Sequence, residues 1–136
     1  LLKLRNQVCF PLYVASKEII RKYNKFLKEL DLTYTQYITM MVMWEVEKEN
    51  VKDLGEKIYL DSGTLTPLLK KLEHKGYLKR EKAKEDERNL LITLTPEGKA
   101  LREKAKHIPI EMMKCIDLPL DELIKLKNTL NKIIGE

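Results

Sequence analysis

Two cysteines, Cys9 and Cys115, are the side chains of this sequence suited to redox chemistry. A thiolate attacks a peroxide oxygen and becomes a sulfenic acid, a reversible state that a second thiol can capture. Neither cysteine lies in a CxxC pair or beside a histidine, so no metal site is expected and no cofactor is implied. Two cysteines are also too few for the disulfide framework of a small secreted domain. Cys9 begins an apolar helical stripe. If Asn6 caps that helix, with Pro11 also marking its start, the thiol lies in the first turn, where free N–H groups and the helix dipole favour the thiolate. The same position equally suits an inert core cysteine. No acid or base accompanies Cys9 locally, and His74 and His107 are isolated, so an enzyme such as a thiol peroxidase is not expected.

A second group of residues suits a polyanion. Ser62, Thr64 and Thr66 carry short hydroxyls able to reach base edges or phosphates, while Lys70 and Lys71 can neutralise phosphates. Lys82, Lys84 and Arg88 form a basic tip, with Asp86 placed to hold an arginine by a charge-assisted hydrogen bond and Arg88 the candidate for a minor groove. His74 fits a helix-dipole or phosphate contact. The formal charge of +5 favours such a partner without identifying it. Any one of these clusters alone would more often be a solvated face.

The elements that must carry these side chains follow from periodicity. Apolar residues from Cys9 to Leu30 recur at steps of three or four, predicting a helix over about residues 7 to 30. Thr33 and Gln36 form a capping box, with Leu32 and Tyr37 spaced as a hydrophobic staple, opening a second helix that runs to about Lys48. A short amphipathic helix spans Val51 to Tyr59. Asp61-Ser62-Gly63 then caps a helix whose Leu65, Leu68, Leu69 and Leu72 share one face, ending at Lys75-Gly76; Pro67 is tolerated near its first turn. Tyr77 to Arg80 and Asn89 to Thr93 read as a β-hairpin with a charged tip. Thr95-Pro96 opens a helix to about Pro109, and a last helix carries Leu120, Leu123, Leu126, Leu130, Ile133 and Ile134.

Short helix, break, capped helix and charged hairpin together predict a mainly α winged helix-turn-helix with a small β-wing, about six helices in all. The chain reads as one domain: residues 33–94 form a DNA-binding lobe, and residues 1–32 and 95–136 supply dimerisation helices, apolar beyond what such a lobe requires. A symmetric dimer on double-stranded DNA with a palindromic operator is the expected arrangement.

The stretches Asn6-Gln7-Val8-Cys9-Phe10, Leu32 to Tyr37, Leu60 to Glu73 and Asp86-Glu87-Arg88 resemble the organic-hydroperoxide-sensing repressors of the MarR family, the OhrR type. The resemblance implies a homodimeric repressor that leaves its operator when Cys9 is oxidised by an organic hydroperoxide. It further implies that Tyr13, from the same helix, and Tyr23 and Tyr34, from across the dimer, donate hydroxyls to the Cys9 sulfur. Cys115 is similar to the resolving cysteine of the two-cysteine branch, which would form an inter-subunit disulfide; a small cellular thiol or a buried structural role for Cys115 are the alternatives. A hydrophobic wall of Phe10, Leu12, Met40 or Met41 would favour organic peroxides. Two other readings stay open: a MarR regulator gated by a small phenolic ligand, and a general thiol-redox or virulence regulator. No apolar run spans a bilayer and no secretory signal is evident, so a cytoplasmic protein with no membrane partner is expected.

Overall fold

The apolar stripe at the start of the chain forms α1 (Cys9–Leu27), continued by a 3-10 turn at Lys28–Leu30 before Asp31 turns left-handed. In this computed structural model, residues 1–83 and 90–136 are described, so the expectations for Lys84, Asp86 and Arg88 lie outside the described residues. Asn6 does not cap α1. It closes a 3-10 turn, Leu4–Asn6, with its N–H on Lys3 O at 3.0 Å, and Val8 occupies the cap position without a side-chain bond. That preceding turn shifts the helix start to Cys9 itself.

The helix α2 (Tyr34–Val46) opens with the expected capping box: Gln36 N donates to Thr33 Oγ1 at 3.3 Å and Thr33 N to Gln36 Oε1 at 3.0 Å. It ends before Lys48, because Glu47 adopts a left-handed φ of 63° and feeds a short strand, β1 (Lys48–Asn50), that the sequence did not suggest. Asn50 then caps α3 (Val51–Ile58), accepting from Asp53 N at 2.8 Å. The helix α4 (Ser62–His74) follows, and Gly76, at a φ of 87°, supplies the left-handed residue that ends this helical region.

The hairpin strands are β2 (Leu78–Lys82) and β3 (Leu90–Leu94), and β3 lies in the middle of an antiparallel sheet ordered β1-β3-β2. Register is set by Lys48 opposite Thr93 and by Arg80 opposite Ile92. Thr95 caps α5 (Pro96–Ala105), accepting from Gly98 N at 3.0 Å. Here α5 stops four residues short of the expected Pro109. A continuous helix would need a Pro109 N–H for the Ala105 carbonyl and would drive the ring into it, whereas Pro is accommodated in a first turn. Accordingly α6 (Ile108–Ile116) starts one residue before Pro109, and α7 (Leu120–Ile134) closes the chain.

Residues Leu1–Lys106 and His107–Glu136 form two compact units. Within the first, Leu54, Leu65, Leu69, Leu72, Leu78 and Ile92 are almost completely buried, so α3, α4 and the sheet share one apolar core. In the second, α7 buries no residue.

Candidate nucleic-acid interface and thiol region

Four buried leucines, Leu65, Leu68, Leu69 and Leu72, fix which way α4 faces. At about 100° per residue, Gly63, Pro67, Lys70 and His74 lie opposite them, with Ser62 and Thr66 on one flank and Thr64 and Lys71 on the other. Ser62, Thr64, Lys70 and Lys71 are exposed as expected, while Thr66 is half-buried. Asp61 Oδ1 accepts from Thr64 N at 2.8 Å, and this hydrogen bond is the main reason its carboxyl is held below the usual range.

The middle of the outer stripe was not singled out from sequence. A Cβ built on Gly63 would meet only Asp61 Oδ1, at 3.4 Å, and its φ is not positive. Pro67 is exposed. Pro67, the sixth residue of α4, lies past the first turn where proline is tolerated and costs about 3 kcal/mol relative to alanine, whereas Gly63, the second residue, costs less than the roughly 1 kcal/mol of a helix interior. Among the described residues, neither of the two is buried.

The hairpin is tied to α4 by an ion pair. Glu73 Oε2 accepts from Arg80 N at 3.0 Å, and Glu73 Oε1 from Arg80 Nε at 3.1 Å and Nη2 at 3.1 Å. The Arg80 N–H is the largest influence holding the Glu73 carboxyl below its ordinary value, against the opposing effect of burial. On the other side, Thr95 N donates to Tyr77 O at 3.2 Å, and Trp44 Nε1 donates to Gly98 O at 2.8 Å. The exposed Lys82 at the end of β2 is thus carried on a braced base.

Cys9 is the first residue of α1 and is exposed; Tyr13 and Lys17 follow at steps of four on the same side of the helix. Lys17 Nζ donates to Tyr13 Oη at 3.0 Å and stands 4.8 Å from the ring centre, a contact for which the sequence reading had no signal. Tyr23 and Tyr34 pair elsewhere, with ring centres 5.0 Å apart, and join Tyr37 at 5.7 and 6.4 Å and, through it, Trp44 at 6.4 Å. Burial raises the hydroxyl pKa values of Tyr23 and Tyr34 and takes Tyr37 to about 12. Fourteen residues of helix separate Tyr23 from Cys9, about 21 Å of rise. One chain therefore brings Tyr13 to Cys9 but not Tyr23 or its stacking partner Tyr34. Of the apolar residues expected to line a peroxide site, Phe10 and Met41 are partly exposed and Met40 is fully buried. Cys115, in α6 of the second unit, is exposed.

Residues 21–106 match the family described as transcriptional regulator SarA/Rot. The HTH-type transcriptional regulator SarZ of Staphylococcus saprophyticus is 50% identical over 133 residues, 98% of this chain and 91% of that protein. AbfR of Staphylococcus epidermidis has been solved reduced and bound to DNA, at 36% identity and a TM-score of 0.82, covering 97% of this chain and 91% of that one. It has also been solved with its disulfide formed, at 37% identity and a TM-score of 0.68, covering 96% and 92%. Escherichia coli MarR, as a mutant on operator DNA, matches at 25% identity and a TM-score of 0.78 over 90% of this chain and 89% of that one. The winged helix-turn-helix expected from the order of elements is the fold of these regulators, and the chain belongs to the SarA/Rot family of transcriptional regulators.

Proposed function

We propose that this protein is a homodimeric transcription repressor that holds a palindromic operator through α4 and its hairpin and releases it when Cys9 is oxidised by an organic hydroperoxide. The observation that carries the reading is an exposed thiol at the first position of α1, with Val8, Phe10, Tyr13 and Val14 exposed around it. An apolar surround favours an organic over an inorganic peroxide. In the first step the Cys9 thiolate attacks the distal peroxide oxygen; the O–O bond breaks, Cys9 becomes a sulfenic acid, and the alkoxide leaves and takes a proton. In the second, the Cys115 thiol of the other subunit displaces water to give a disulfide. AbfR's separate reduced DNA-bound and disulfide structures support a switch of this kind.

Dimerisation is supported by α7, fifteen residues with none buried and with Leu120, Ile124, Leu126, Ile133 and Ile134 exposed. A helix of that length is marginal in water without a packed face. A second copy would also supply the Tyr23 and Tyr34 hydroxyls that one chain cannot bring to Cys9. On DNA, Ser62, Thr64 and Thr66 would reach bases or phosphates, Lys70, Lys71, Lys82 and Lys84 would contact phosphates, and Arg88, steadied by Asp86, would enter the minor groove.

The test follows DNA release and a non-reducing gel after hydroperoxide treatment of wild type, Cys9→Ser and Cys115→Ser. Wild type should dissociate as a linked dimer, Cys9→Ser should ignore the oxidant, and Cys115→Ser should need an added thiol for full release. A Cys9→Ser variant that responds like wild type overturns the redox reading. The ligand-gated alternative would then gain from a cleft of about 760 Å³ bordered by Val51, Gly55, Tyr59, Leu60, Leu65 and Leu90, beside the start of α4.

A further inference from the structure

Two residues of low helix propensity lie on the exposed stripe of α4, one turn apart, and among the described residues neither is buried. Gly63 has room for a Cβ and no left-handed backbone, and Pro67 projects its ring into solvent. Resting on the reading of α4 as the helix that enters the major groove, we propose that Gly63 and Pro67 form a low, apolar seat for a thymine methyl group, making thymine methyls the feature by which this protein selects its half-site.

The chemistry of the helix supports the assignment by what its leading half offers. Base edges are read chiefly by the N-terminal part of a recognition helix. Here that part is Ser62-Gly63-Thr64-Leu65-Thr66-Pro67, with no arginine, lysine, asparagine or glutamine to make bidentate pairs with guanine or adenine. Lys70 and Lys71 stand one to two turns further on. The C5-methyl of thymine is the one apolar group on the major-groove edges, and the Pro67 ring is the apolar group at the centre of this face. Gly63, four residues earlier on the same stripe, keeps the surface low, so the backbone can approach the base step that the ring touches. Thr66 and Ser62 on one flank and Thr64 on the other leave hydroxyls for the neighbouring polar edges.

The experiment begins with duplexes enriched from a random pool by the full-length protein. Affinity is then measured by fluorescence anisotropy on the enriched duplex and on copies in which single thymines are replaced by deoxyuridine, which removes only the methyl. Wild type should lose about fourfold at the contacted thymine, the worth of one buried methyl group. Pro67→Ala, which restores a backbone N–H and favours the helix, should bind both duplexes equally, and Gly63→Ala should weaken binding to both. Wild-type indifference to every deoxyuridine, or full methyl sensitivity in Pro67→Ala, overturns the proposal while leaving DNA binding intact. Failure to enrich any duplex overturns the DNA reading and this proposal with it.

Discussion

Gly98→Ala tests how the hairpin base is packed. A Cβ at Gly98 would stand 2.3 Å from Tyr77 O and 2.7 Å from Leu94 Cδ1, so backbone must move by about 1 Å to reach ordinary contact. That movement strikes three bonds meeting there: Thr95 N to Tyr77 O, Gly98 N to Thr95 Oγ1, and Trp44 Nε1 to Gly98 O. Overpacking costs about 1–3 kcal/mol and weakening the three hydrogen bonds about 2 kcal/mol together, against a gain in helix propensity of about 1 kcal/mol. The net is a loss of about 2–4 kcal/mol, a large part of the stability of a typical domain. For a chain of this size it lowers Tm by roughly 6–15 °C. Circular dichroism melts at fixed protein concentration measure it, with Gly63→Ala as the control, since that site accepts a Cβ and the variant should melt no lower than wild type. A Gly98→Ala variant melting within about 2 °C of wild type would show that the clash is relieved without loss, and the account of the hairpin base would fall.

Three further outcomes follow from the geometry. The carboxyl of Glu73 has a lowered folded-state pKa, so its stabilising effect is present above its unfolded value of 4.5 and is lost as pH falls through the folded value; Glu73→Gln should be less stable near neutrality, and urea midpoints for the two proteins should converge in acid. Tyr37 titrates at about 12, above the ordinary 10, so its neutral form contributes fully below pH 10 and is lost between 10 and 12; absorbance at 295 nm should show it ionising late, and Tyr37→Phe should remove that late step. Replacing Ile124 and Ile133 of α7 by glutamate puts charge on the uncovered apolar stripe, and sedimentation velocity should then show a monomer where wild type gives a dimer.

Most helices are legible in the sequence because their ends carry local chemistry. Thr33 with Gln36, Asp61 and Thr95 each satisfy free N–H groups within three residues, so the residue types alone locate those starts. The start of α1 is not marked in this way, and Asn6 misleads because its residue type fits a cap while the chain is already turning there. The strand β1 is invisible for a different reason: Lys48-Glu49-Asn50 has no apolar alternation and is a strand only because β3, some 40 residues later, lies beside it. At the candidate site, Ser62, Thr64, Lys70 and Lys71 follow from helical period alone. Gly63, Pro67 and Lys17 do not, because reading them needs knowledge of what is missing around a residue, or of a side chain folded back along its own helix.

The sheet order has a mechanical consequence. Because β3 is bonded on both edges, the hairpin cannot pivot at its root as a free flap; any swing must drag β1, and β1 runs without a break into Asn50, the cap of α3. With Arg80 clamped to Glu73 at the far end of α4, the hairpin and α4 are joined into one block. A force on either part is therefore shared by both, so α4 and the hairpin turn together rather than one against the other.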